Sequence, residues 1–127
     1  MNEGSTACNN DLASSRWSLL LWQVPMVLLL IGAFSGEIAH TVLWTVGFAV
    51  SGVACVVNAR RCGRRHCFYN GPLYLGVAAA SVFYGVHVLP LGSNGWDWIL
   101  GVAAVGTLFA RLPEGMLGKY AERRNAR

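Results

Sequence analysis

The sequence predicts an all-α integral membrane bundle of four transmembrane helices with both termini in the cytoplasm. Three observations carry that expectation. Hydrophobic residues fill 54% of the 127 positions and charged residues only 13%, about half the charged share of an ordinary soluble domain. Four long stretches carry almost no charge. The basic residues fall only between or beyond those stretches, in an order that collects them on one side.

Trp17 to Ser35, His40 to Asn58 and Gly71 to Leu91 contain no Asp, Glu, Lys or Arg, and Trp96 to Ala110 contains only Asp97. About 20 helical residues cross the ~30 Å hydrocarbon layer. Expected spans are therefore about 17–35, 40–58, 71–91 and 96–112, the last reaching length by running through Arg111 and Leu112. Backbone groups find no water in lipid, and these stretches lack the alternation of barrel strands, so helices are the expected form. Residues 1–16 make a polar N-terminal segment, 17–112 the membrane domain and 113–127 a basic cytoplasmic tail. The polar start is long for a signal peptide and the first apolar run exceeds a usual signal core, so the first span is expected to be retained.

Short breaks at Ser35-Gly36-Glu37 and at Leu91 to Gly95 favour antiparallel hairpins. The longer polar segment from Ala59 to Asn70 is expected to be a loop, with Pro72 in the first turn of the third helix. All ten basic residues (Arg16, Arg60, Arg61, Arg64, Arg65, Arg111, Lys119, Arg123, Arg124 and Arg127) then share one side, and the two short turns have none. The positive-inside rule makes that side cytoplasmic, facing anionic headgroups. A bacterial inner membrane is the expected location. Nucleic acid is not an expected partner, because the cations are not spread over a polar face.

Small residues suggest where helices meet. Gly32 and Gly36, then Gly47, Ser51 and Cys55, then Gly106 and Ala110, recur at four-residue spacing, which lets backbones approach closely in lipid. Packing within the bundle is the simpler use of these stripes, with a homo-oligomer or a larger membrane partner as the other.

The segment NARRCGRRHC, residues 58 to 67, carries the most chemistry. Soft thiolates with an imidazole suit thiophilic ions, and nearby arginines favour thiolate over thiol. Cys55, Cys62, His66 and Cys67 are the candidate metal ligands. Were the second helix to continue, Cys55, Cys62 and His66 would share a stripe, but seven residues of helix rise about 10 Å. Joint coordination requires the chain to fold back. A second, sparser set, Glu37, His40, His87 and Asp97, is expected at the opposite membrane face, where it would ease the approach of a cation.

No nucleophile elbow, phosphate loop, zinc-protease motif or dinucleotide fingerprint occurs in the chain. A non-enzymatic membrane protein is the expectation, with three candidate roles: transport or binding of a thiophilic metal ion, a non-catalytic subunit of a larger membrane complex, or a thiol-redox sensor. No other cofactor is indicated.

The string N-A-R-R-C-G-R-R-H-C-F-Y-N-G-P resembles small bacterial multi-span membrane proteins in which a Cys-Gly-Arg-x-His-Cys loop precedes an aromatic-Gly-Pro helix start. The resemblance covers about 15 residues and implies a membrane location without an activity. The chain is more loosely similar to small mercuric-ion transporters, which also combine a few spans with cytosolic cysteines. Those have an adjacent cysteine pair in the first span, and Trp17 to Ser35 contains no cysteine.

Overall fold

The computed structural model describes residues 16–118 and is all-α. Its helices are α1 (Trp17–Ala33), α2 (Glu37–Cys62), α3 (Arg65–Gly85) and α4 (Gly95–Leu117). Each packs on its neighbour in sequence: α1 on α2, α2 on α3 and α3 on α4. Helices α1 and α4 do not pack on each other, so the bundle is open along one side.

The helix bounds differ from the expected spans for identifiable reasons. At the first turn, the Phe34 and Ser35 amides return to Ile31 and Gly32 carbonyls, and the Ser35 hydroxyl donates to Ile31 O at 2.6 Å. These bonds close α1 before Ser35. Extended Gly36 then opens α2 at Glu37, whose carboxylate sits favourably at a helix start.

The expected loop at 59–70 is almost wholly helical. Arg60 and Arg61 belong to the last turn of α2, where cations are favoured, and Gly63 ends it at φ 65°, a left-handed conformation that glycine takes without a Cβ penalty. Arg64 is extended, and α3 begins at Arg65. Pro72 consequently lies about two turns inside α3 rather than at its start. The helix also stops early, at Gly85, so Val86 to Asn94 link α3 to α4 outside the helices. Pro113 does not end α4, which continues to Leu117. Lys119 to Arg127 and residues 1–15 lie outside the described residues, and with them most of the expected tail.

Among the described residues, two helices, α2 and α4, are long and apolar enough to cross a membrane. Helix α1 is apolar but has only 17 residues. Helix α3 opens with Arg65-His66-Cys67-Phe68-Tyr69-Asn70, which dilutes its apolar stretch.

The main core joins Trp44 and Phe48 of α2, Val77 and Ala78 of α3, and Ile99 and Ala103 of α4. The small stripe on α2 faces inward, with Gly47, Ser51 and Cys55 all buried. Against α3 the approach is close: a Cβ at Gly52 would lie 2.8 Å from Leu75 Cγ, and one at Gly71 would lie 2.7 Å from Val56 Cγ2. Trp44 ties α1 to α2 by donating its indole N–H to Leu29 O at 2.9 Å. Trp44→Phe loses that bond and empties part of the buried indole volume. It should lower unfolding stability in detergent by about 2 kcal/mol, measured by thermal or SDS titration.

Candidate functional site

The described cations Arg16, Arg60, Arg61, Arg64, Arg65 and Arg111 lie at one end of the antiparallel bundle, near the start of α1 and α3 and the close of α2 and α4. Inside that end is a second, small core of Cys55, Ala59 and Cys67, walled by Trp22 and Tyr74. The reversal at Gly63 and Arg64 creates it. Cys67 is carried back along α2 until it hydrogen-bonds with Cys55, one half of the fold-back that joint chemistry requires. Both thiols are free and fully buried, each 0% exposed.

Cys67 stands in the first turn of α3, where unpaired backbone N–H groups favour negative charge. Three side chains address its sulfur. Cys55 hydrogen-bonds to it, Asn58 Nδ2 donates to it at 3.7 Å, and His66 Nε2 lies 3.4 Å away. The hydrogen bond from Cys55, then the His66 ring beside it, pull the Cys67 thiol below the ordinary cysteine range against the opposing effect of burial. His66 is shifted upward, first by its bond to the Cys67 sulfur and then by the Glu114 carboxylate. Both shifts run toward a thiolate beside an imidazolium.

Glu114 completes a relay. Its Oε2 lies 2.6 Å from His66 Nδ1, and its Oε1 lies 3.5 Å from Arg64 Nε. The carboxylate orients the ring so that Nε2 points at sulfur, the arrangement by which a histidine is held against a cysteine nucleophile. Helix α4 is registered for this task by a second bond about two turns away, between Tyr74 Oη and Thr107 Oγ1 at 2.9 Å. The pairs 66–114 and 74–107 run antiparallel and fix the α3–α4 register at both points.

The four candidate ligands therefore part company. Cys55, His66 and Cys67 come together, and Cys62 does not join them. Its sulfur is disulfide-bonded, which removes it from the set of available thiolates and corrects its assignment as a ligand. The shared Cys55–Cys62–His66 stripe is also corrected, because α2 ends at Cys62 and His66 belongs to α3. Among the described residues, no three His, Cys, Asp or Glu side chains are arranged to hold one metal ion. Asn58 and Glu114 are participants that the sequence reading missed. Glu114 was assigned to the tail beyond Pro113, although it lies seven residues after Thr107 and so on the same helical face.

A crevice of about 140 Å³ between α2 and α3 leads to Cys67, lined by Val56, Ala59, Arg60, Phe68 and Pro72. It is an approach to a sulfur that is otherwise buried.

At the opposite end, Glu37 Oε1 and His87 Nε2 lie 3.5 Å apart with both side chains mostly exposed. His87 has left-handed backbone, φ 61°. His40 instead stacks on Trp96, centroids 4.1 Å apart, and tilts against Trp44. The expected constellation is thus a surface ion pair and a separate aromatic stack.

No family model, curated protein or solved structure matches the chain.

Proposed function

We propose that the chain is a four-span membrane protein whose Cys55 and Cys67 form a redox-active dithiol, cycling between two thiols and one disulfide as a thiol-redox sensor or carrier. The observation that carries this reading is the Cys67 sulfur, hydrogen-bonded to a second free thiol on one side and to His66, backed by Glu114, on the other. One sulfur is activated as a nucleophile and the other is in place to resolve it. Complete burial restricts access to small or membrane-soluble reagents and excludes a protein thiol as direct partner. The non-enzymatic reading fits a device that stores an oxidation state.

Four spans in a bacterial inner membrane are supported by the apolar exterior. Only 17% of the apolar stretch of α4 is buried against 50% of that of α2, so α4 presents most of its surface outward. Leu100, Val102, Val105, Leu108 and Phe109 on it are all exposed. Lipid rather than water is the solvent such a helix suits. The positive charge at the thiol end favours a cytoplasmic location for it, whereas the Cys62 disulfide suits a compartment that oxidises thiols. Impermeant maleimide added to whole spheroplasts should label a cysteine introduced at Ser93 and spare one introduced at Gly115, an exposed position at the basic end with open space around it. The opposite pattern reverses the orientation.

The dithiol is tested with diamide, a small thiol oxidant. Treatment of membranes should yield a Cys55–Cys67 disulfide, identified by peptide mass spectrometry, and Cys55→Ser should abolish it. Persistence of both free thiols under conditions that oxidise glutathione would overturn the reading.

A second reading is favoured by the same sulfur contact. Two thiols within bonding reach of each other suit a two-coordinate soft cation such as copper(I), which needs no third ligand. Stoichiometric copper(I) binding lost in Cys55→Ser and in Cys67→Ser, but retained when Cys62 is replaced, would establish it.

A further inference from the structure

The open side of the bundle bears directly on the thiol pair. Because α1 and α4 do not pack together, a cleft of about 450 Å³ runs between them, bounded by all four helices. That volume falls within the range of small-molecule sites. Its wider part is apolar, with Met26, Leu29, Leu100 and Ala104 among the residues lining it. At the basic end the lining changes to Trp22, Tyr74, Thr107 and Arg111. Trp22 and Tyr74 are also the two side chains packed on the Cys55–Cys67 core. One wall thus separates the cleft from the sulfurs. Beside it, on the same face of α3 as Cys67 and Tyr74, Asn70 is buried with its Oδ1 lacking a hydrogen-bond partner.

We propose that this cleft binds a membrane quinone, which accepts the electrons of the Cys55–Cys67 pair. The inference rests on the redox reading above and names its electron acceptor. An isoprenoid tail suits the apolar part and its opening to lipid. A flat, electron-poor ring suits the two aromatic walls. Arg111 supplies a donor for a ring oxygen and stabilises negative charge that builds there on reduction. The oxygens of Tyr74 and Thr107, which line the cleft, are acceptors for the hydroxyls of the product.

The reaction balances with groups already in place. The Cys55 S–H bond breaks and an S–S bond to Cys67 forms, releasing two electrons and one proton. A second proton leaves the His66 imidazolium, which the Cys67 thiolate no longer holds. The quinone takes up two electrons and two protons, and its two C=O groups become C–OH. Contact with sulfur requires the Tyr74 side chain to yield.

The full chain, reduced and placed in lipid nanodiscs, would be mixed with a short-tailed ubiquinone analogue while quinone absorbance and the Cys55–Cys67 disulfide are followed together. Both signals should change in step. Ala104→Trp, at an exposed position on the cleft, fills the site and should slow them by at least about tenfold. Arg111→Gln, a milder change, should slow them by about threefold or more, each tenfold corresponding to about 1.4 kcal/mol. Diamide should still close the disulfide in both variants, which shows that they are folded and competent. Disulfide with diamide but no quinone reduction in the wild type overturns the quinone and leaves the dithiol standing. Reduction at the wild-type rate in both variants overturns the cleft as the site. Failure of diamide to close the pair in the wild type overturns the redox reading itself.

Discussion

Replacing His66 with Gln should slow modification of Cys67 near pH 4 by about ten- to a hundredfold, because loss of an adjacent positive partner raises a thiol pKa by about one to two units. The sign follows from the direction of the native shift. In the wild type the Cys67 thiol lies below the ordinary cysteine range, so thiolate persists through neutral pH and reactivity falls only in acid. In the variant the profile moves to higher pH. Rates in acid solution drop, and the two proteins converge as the pH rises through neutral. Glu114→Gln should shift the profile the same way by less, since the carboxylate acts on sulfur only through the ring. Methyl methanethiosulfonate is small enough for the crevice beside Cys67, and peptide mass spectrometry separates its reaction there from that at Cys55. A pure packing role for His66 would change accessibility at all pH values alike and leave the profile in place.

Gly71→Leu should prevent stable assembly of the bundle. A Cβ there would lie 2.7 Å from Val56 Cγ2 and 3.2 Å from the Val56 backbone nitrogen. The side chain of Val56 can turn; the backbone behind it can move only by separating α2 from α3. Overpacking of this kind costs about 1–3 kcal/mol where a core can adjust, and the upper end applies where main chain is the obstacle. Gly76→Ala is the matched control on the same helix, because nothing lies within 4 Å of its added carbon. Removing glycine from a helix interior should leave stability unchanged or raise it by up to about 1 kcal/mol. The two variants, compared by SDS titration after purification, separate close helix approach from a general intolerance of α3.

Four helices were legible because each stretch between Trp17 and Ala110 is long, apolar and bounded by turn residues. Their ends were less so. Polarity at 59–70 suggested a loop, yet one left-handed glycine at Gly63 and one extended residue suffice to reverse the chain. Proline suggested boundaries at Pro72 and Pro113, but each lies inside a helix. The missing N–H at Pro113 frees a carbonyl one turn back without stopping the turns after it.

That continuation explains why Glu114 escaped notice. Helical spacing from Thr107 would have placed it on the working face, had the helix been extended beyond its apolar residues. Cys55, His66 and Cys67 were recognisable by chemical type. Their meeting depended on the direction of α3 after the reversal, which local sequence does not encode. Nothing in the spacing of Cys62 distinguished a disulfide from a ligand.

The bond between Glu114 and His66 links a sulfur on one helix to the end of another. Converting Cys67 to a disulfide deletes its negative charge, and the imidazole then has one reason fewer to keep its proton. Once that proton leaves, the carboxylate faces a neutral ring and its grip on α3 weakens. On the proposed redox reading, Glu114 then keeps Arg64 as its other partner, so the oxidation state of the sulfur pair bears on how firmly the end of α4 is held.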